Sequence, residues 1–138
     1  MSEDKAFLDS NIFVYLYSEH EPEKQQAVLN AINRYSNIIS TQVLNEFSNV
    51  CIRKLKLQNS AIKKAVNKIC ILCDVLTIDE SHVKSALDLH EKYGYSYYDS
   101  LIIASALDGD CDYLLSEDMS DWQVIEGKLT IMNIFSTI

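Results

Sequence analysis

Four acidic side chains in this 138-residue chain stand where an acid is costly to keep. Asp9 closes the apolar run "AFLD" and is followed by Ser10, Asn11 and a second apolar run, "IFVY". A carboxylate beside a core must be hydrogen-bonded, paired or bound to a metal, because burying it alone costs several kcal/mol or forces it to take up a proton. Asp9 is therefore either a helix cap or a working group. Glu46 shares a helical face with Val43 and Val50 and is bordered by Phe47, at the edge of a buried stripe. Asp99 heads a stripe of Ile102, Ile103 and Ala106, although Ser96 three residues earlier equally fits a capping box. Asp118 follows "YLLS", where a turn or helix-cap aspartate is the ordinary alternative. Its neighbour Glu117 is the weaker candidate, since adjacent side chains rarely aim at one point.

Carboxylates gathered in one crevice repel and raise one another's pKa, so such a set implies a cation or a function. Ligands that are all oxygen favour a hard octahedral ion, Mg²⁺ or Mn²⁺. That ion is also what an acidic protein needs to hold a phosphate, polarise it and generate hydroxide from water.

The acids meet only if the fold delivers them to one place, and the periodicity of apolar residues predicts that it does. "KAFLD", "NIIS", "DVLTI", "DYLLS" and "LTIMNIF" read as five strands. "NIFVYLYS", "EPEKQQAVLNAINRY", "TQVLNEFSNVCIRKL", "NSAIKKAVNKICILC", "DESHVKSALDLHEKYG" and "SYYDSLIIASALDG" read as helices, the last two closed by Gly94 and Gly109. Strands alternating with helices predict a mostly parallel sheet covered on both faces, with ligands at the carboxyl ends of its strands. Asp9 and Asp118 fall at such ends, and Glu46 lies just after another.

The bulk of the chain narrows the options. Length and a 48% hydrophobic composition suit one compact domain over residues 1–138, without linker, repeat or low-complexity segment. Twelve basic against twenty acidic residues give a formal net charge of −8, which argues against gripping nucleic acid through phosphate contacts alone. No apolar run spans a bilayer and the N-terminal "MSEDKAF" is no leader, so the expectation is a soluble, cytoplasmic protein with no membrane role. Cys51, Cys70, Cys73 and Cys111 are read as reduced. The Cys70–Cys73 pair lies inside an apolar helical run without a second pair at zinc spacing.

At its acidic residues the sequence resembles the PIN-domain nucleases, most closely the VapC-like toxins of toxin–antitoxin pairs. "FLDSNIFVY", "STQVLNEF", "YSYYDSLIIASAL" and "YLLSEDMSDWQVIEGKLTIMNIF" follow the family's four acidic motifs in order, over nearly the whole chain. The resemblance implies a three-layer α/β/α sandwich on a mostly parallel five-stranded sheet and metal-dependent cleavage of RNA. It makes Asp9, Glu46, Asp99 and Asp118 the acidic quartet, with Ser10, Asn11 and Ser116 as polar neighbours. Asp9, Asp99 and Asp118, with Glu46, would form the metal set for Mg²⁺ or Mn²⁺, and Glu46 would also orient or deprotonate water. A homodimer and an antitoxin partner are implied as well. Two departures concern the last loop: "NIF" replaces the family's "NPF", and Trp122 stands where relatives often have glycine.

Tyr93, Tyr95, Tyr97 and Tyr98 crowd the approach to Asp99 and suit either base stacking or packing, with Tyr97 and Tyr98 the nearest to the acid. Arg53, Lys54, Lys56, Lys63, Lys64 and Lys68 concentrate positive charge on two helices and would guide an RNA backbone or simply face water. His20, His82 and His90 fall on helix surfaces or ends and receive no role. A haloacid-dehalogenase phosphatase would need an aspartate where Asn11 stands, and a receiver domain would need paired acids on its first strand. The remaining alternative is a catalytically silent PIN-like domain that binds RNA or protein.

Overall fold

The computed structural model describes residues 4–137. Of the mixed-charge N-terminal stretch, Met1–Glu3 lie outside them. The elements run β1 (Lys5–Leu8), α1 (Ser10–Val14) with a 3₁₀ turn at Tyr15–Tyr17, α2 (Pro22–Arg34), β2 (Ser36–Ser40), α3 (Thr41–Arg53), α4 (Asn59–Leu72), β3 (Asp74–Leu76), α5 (Glu80–Tyr93), α6 (Tyr97–Asp108), β4 (Tyr113–Leu115), β5 (Val124–Ile125) and β6 (Leu129–Met132).

The sheet is ordered β3-β2-β1-β4-β6-β5, and every pairing is parallel except β5 with β6. Helices lie on both sides of it, the α/β/α arrangement that the sequence predicts. Right-handed crossovers explain the layering. The chain steps from β1 to β2 to β3 in one direction, which puts α1–α4 on one face. It then returns across the sheet to β4, which puts α5 and α6 on the other. The direction reverses beside β1, so the carboxyl ends of β1 and β4 flank the crevice where such sheets hold ligands.

The core forms because the strands are apolar almost throughout and both faces are covered. Phe7, Leu8, Ile39, Leu114 and Leu115 are fully buried, and Phe13 meets Phe47 edge to face at 6.5 Å between centroids. Residues Ser100–Ala106 of α6 are all buried, so the middle of this helix has no solvent face, and the stripe below Asp99 is one side of a segment that is enclosed all round. Its hydroxyls are satisfied internally: Ser105 Oγ donates to the Leu101 carbonyl at 3.0 Å. His82, expected at a surface, is buried between α5 and α6, where its Nδ1 accepts from the Asp79 amide (3.0 Å) and its Nε2 meets Asp108 Oδ2 (2.9 Å).

Two chain reversals depart from expectation. The sheet has six strands rather than five. β5 is two residues long and turns into β6 through Glu126 and Gly127, both at positive φ (+52° and +64°). A glutamate in that conformation carries none of the Asn-Gly or Asp-Gly signal that marks hairpins. Gly109 closes α6 without a left-handed φ; it is small because a Cβ there would come within 3.2 Å of Leu76 and 3.4 Å of Ile38. Gly94 does take the left-handed cap, at φ +78°. All four cysteines are free, with Cys51, Cys73 and Cys111 buried and Cys70 exposed. Among the described residues no helix is long and apolar enough to cross a membrane.

Trp122 has φ +68° and is 66% exposed, so a bulky residue occupies backbone that glycine takes freely. Left-handed backbone costs an L-residue roughly 1–2 kcal/mol. Trp122→Gly is therefore expected to raise the thermal unfolding midpoint by about 2–4 °C, the response to about 1 kcal/mol at this size. A melting curve followed by circular dichroism checks it, and a lower midpoint would mean that indole contacts outweigh the strain.

Candidate active site

The site begins with strand register. β1 and β4 pair with Leu8 opposite Leu115, and the Asp9 amide continues the ladder by donating to the Leu115 carbonyl at 3.0 Å. Asp9 and Ser116 are thereby neighbours at the carboxyl edge, and Ser116 Oγ donates to Asp9 Oδ2 at 3.0 Å. Asp9 Oδ1 accepts from the Ser10 amide at 2.7 Å, the first amide of α1. The side chain is both a cap and a member of an acidic group, so the two roles weighed from sequence coexist.

α3 starts directly on the last residue of β2, which carries Glu46 to the same edge. Gln42, one turn earlier and buried, donates through Nε2 to the Tyr98 carbonyl at 3.0 Å and to Glu46 Oε2 at 3.4 Å. Asp99 lies in the first turn of α6, whose N-cap Ser96 accepts from the Asp99 amide at 3.2 Å. The capping geometry is thus real, and the Asp99 carboxyl still belongs to the acidic group. Asp118 sits beyond β4, exposed, and its Oδ2 accepts from Asn11 Nδ2 at 2.8 Å.

The electrostatics link all four acids. Burial pushes the Asp9 carboxyl up to about 6, the charges of Glu46 and Asp99 push the same way, and its bonds from Ser10 and Ser116 oppose them. Glu46 is raised by burial and by Asp99, against hydrogen bonds from Gln42 and the Ser10 side chain. Asp99 is raised by burial and by Asp118, against Ser96. Among the described residues no lysine, arginine or histidine forms an ion pair with any of the four. Repulsion runs from the buried Asp9 through half-buried Glu46 and Asp99 to exposed Asp118 with nothing to neutralise it.

These residues suit a hard cation by their chemistry. The donors are carboxylate oxygens, and Asn11 Oδ1, on the side chain that holds Asp118, is buried without a hydrogen-bond partner. Among the described residues, no three acids, histidines or cysteines are already gathered closely enough to form a finished cage. The structure offers a charged crevice with the right donors, its carboxylates still apart.

Glu117 turns away from this group, as expected of a neighbour of Asp118. It pairs with Lys24 Nζ at 2.8 Å and accepts from the Tyr15 hydroxyl, fastening the loop after β4 to α2 and the 3₁₀ turn. Lys24 also lies over the Tyr15 ring at 4.6 Å. Tyr93 and Tyr95 are structural: the Glu126 amide donates to the Tyr93 hydroxyl at 3.0 Å, and the Ser120 amide donates to the Tyr95 hydroxyl at 3.1 Å. Tyr98 remains exposed beside Asp99. Arg53 and Lys54 lie at the far end of α3, about 10 Å along its axis from Glu46, and do not enter the crevice. Sequence reading missed Gln42, although its spacing of four from Glu46 on one helical face was the available signal.

Comparison with known proteins fits this geometry. The family model for the PIN domain matches residues 6–123. The chain belongs to the PIN domain family. No curated protein matches the sequence. Among solved structures, this PIN domain is similar to a toxin–antitoxin complex from Klebsiella pneumoniae, with a TM-score of 0.71 at 17% identity, covering 94% of this chain and 98% of that one. It is also similar to the sarcin-ricin loop cleaving toxin VapC20 of Mycobacterium tuberculosis (TM-score 0.66, 15% identity, 82% and 89% covered). A third is VapBC2 from Rickettsia felis, bound to a DNA fragment from its promoter (TM-score 0.65, 16% identity, 94% and 99% covered). At these identities the likeness is one of fold.

The raised acids make a stability prediction. Asp9 holds its proton more tightly folded (about 6) than at its ordinary 3.8, so this preference favours the folded state fully below pH 3.8 and is lost as the pH rises through 6. The loss amounts to roughly 3 kcal/mol at about 1.4 kcal/mol per pH unit, with Glu46 and Asp99 acting in the same direction. In chelator, the melting temperature is expected to fall between pH 4.5 and 7.5 for wild type and to fall less for Asp9→Asn. Mg²⁺ or Mn²⁺ at pH 7.5 should restore part of the loss to wild type and little to the variant. Equal pH dependence of both proteins would contradict the account.

Proposed function

We propose that this PIN domain is an endoribonuclease that hydrolyses RNA phosphodiester bonds with a divalent ion, Mg²⁺ or Mn²⁺, as the toxin of a toxin–antitoxin pair. The observation that carries this reading is the continuous run of repelling carboxylates, without a cation among them, at the switch point of a parallel sheet. Family membership and the toxin–antitoxin relatives of like fold support it.

Asp9, Asp99 and Asp118 are the residues to hold the ion, directly or through water, with Ser10 and Ser116 fixing Asp9 and Asn11 fixing Asp118 by hydrogen bonds. When bound, the ion supplies positive charge to a phosphate and lowers the pKa of water. Glu46, half-buried and with its carboxyl raised, is suited to orient the attacking water and take its proton, since a base works best when its pKa approaches the working pH. Gln42 Nε2 donates to the Glu46 carboxylate at 3.4 Å and so helps to orient it. The chain's net charge of −8 repels RNA overall, so local cations matter. Arg53 and Lys54, at the end of α3, are the residues proposed to meet the RNA backbone at a distance from the cut.

An acidic crevice also suits a basic protein segment, the chemistry expected of an antitoxin that silences it. A homodimer completes the proposed assembly.

The test is RNA cleavage by wild type and Asp9→Asn, with Mg²⁺ or Mn²⁺ and with chelator. Wild type is expected to cut only with metal, and the folded variant to lose about 100-fold or more, the scale of removing one group that stabilises a transition state. Absence of cleavage together with absence of metal binding in calorimetry would sink the enzymatic reading and leave a silent binding domain.

A further inference from the structure

A pocket of about 350 Å³ opens beside Glu46, between the first turns of α3 and the start of α6. Its walls are Thr41, Gln42, Asn45, Ile78, Tyr98 and Leu101. The lining combines two aliphatic side chains, one aromatic ring and three side chains able to hydrogen-bond, the composition of a small-ligand site.

Three features specify an occupant. Tyr98 is 64% exposed, yet its position is fixed: Gln42 Nε2 donates to its carbonyl at 3.0 Å, and its ring meets Tyr97 edge to face at 5.3 Å. Tyr97 is in turn packed against the core. A fixed aromatic ring left open to solvent beside aliphatic walls is a stacking platform. Second, Gln42 is 92% buried, with its amide nitrogen committed to Tyr98 and Glu46, while its Oε1 is buried with no partner. An acceptor in that state is costly until a donor reaches it. Third, the pocket borders Glu46 itself, so whatever fills it lies next to the acidic crevice.

We propose that this pocket receives an unpaired nucleobase of the RNA beside the scissile phosphate, stacked on Tyr98 and read along its edge by Gln42 and Asn45. Unpaired bases are recognised in this way, by an aromatic face together with side-chain amides on the base edge. Adenine and cytosine present an exocyclic amino group to an acceptor, whereas uracil presents a carbonyl at the corresponding position. The pocket therefore prefers adenine and cytosine to uracil. Gln42 holds both Tyr98 and Glu46, so it ties base recognition to the residue proposed to handle water. This inference rests on the ribonuclease reading for its biological meaning, while the pocket's chemistry can be tested without catalysis.

The probes are adenosine, cytidine and uridine, which carry no phosphate and are not repelled by the acids, added to wild type, Tyr98→Ala and Tyr98→Phe while side-chain NMR signals are followed. Adenosine and cytidine are expected to shift the Ile78 and Leu101 methyls and the Gln42 amide of wild type. Tyr98→Ala should weaken this about tenfold, Tyr98→Phe should preserve it, and uridine should bind less well. In parallel, RNA cleavage with Mn²⁺ by Tyr98→Ala should show a KM raised about tenfold, little change in kcat and a relaxed base preference at the cut. Gln42→Met, which removes the amide at similar volume, should erase the preference over uridine. Nucleoside binding at the pocket without cleavage keeps the pocket and overturns the ribonuclease reading. Cleavage with the same KM and base preference in wild type and Tyr98→Ala, with no shift at the nucleosides' solubility limit, overturns the pocket and keeps the ribonuclease. Absence of both overturns both.

Discussion

Everything at the carboxyl edge of this sheet depends on the pairing of β1 with β4. Because Leu8 lies opposite Leu115, the next residue on each strand is polar and the two are within hydrogen-bond reach, so Ser116 meets Asp9. A slip of one residue would turn every side chain of the strand to the other face. The buried Asp9 carboxylate survives there because the Ser10 amide and the Ser116 hydroxyl serve one oxygen each. The same register sets where the loop after β4 begins, hence where Asp118 reaches Asn11. One ladder contact thus fixes the innermost and the outermost acids.

Around that centre the protein uses connections between layers rather than along them. Gln42 ties α3 to α6 across the crevice, so the helices carrying Glu46 and Asp99 are held to each other by a backbone carbonyl and a side chain. Lys24 and Glu117 tie α2 to the loop that carries Asp118. His82 ties α5 to the far end of α6, whose near end carries Asp99. The first fastening acts within the crevice and the other two act on elements that lead into it.

Much of this was legible in the sequence, for a definite reason. Strands buried on both faces are nearly continuous apolar runs, so "AFL" and "YLL" announce themselves, and an acid that immediately follows such a run must lie at its carboxyl end. Asp9 was placed by that logic, Asp118 by its position three residues past Leu115, and Glu46 by its apolar neighbours on a helix. β5 escaped because two residues carry no periodicity and its turn depends on backbone angles that glutamate does not advertise. His82 escaped because its partner, Asp108, lies 26 residues away on another helix. The distance of Arg53 and Lys54 from the crevice follows from where α3 begins, which composition does not reveal. Asp99 remained ambiguous because the cap uses the Ser96 hydroxyl and the Asp99 backbone amide, which leaves the Asp99 carboxyl available to the crevice.

The short strands at the sheet's two borders bear on how the molecule behaves when crowded. β3 offers three residues on one edge and β5 two on the other, the latter bent through a turn at positive φ. A border so brief gives an incoming chain little ladder to copy, which is how sheet proteins avoid templated stacking and fibre growth. Any association of this chain with another then falls to helical surfaces, where Ile52, Val83 and Leu87 are exposed and side-chain fit, rather than backbone hydrogen bonding, selects what is admitted.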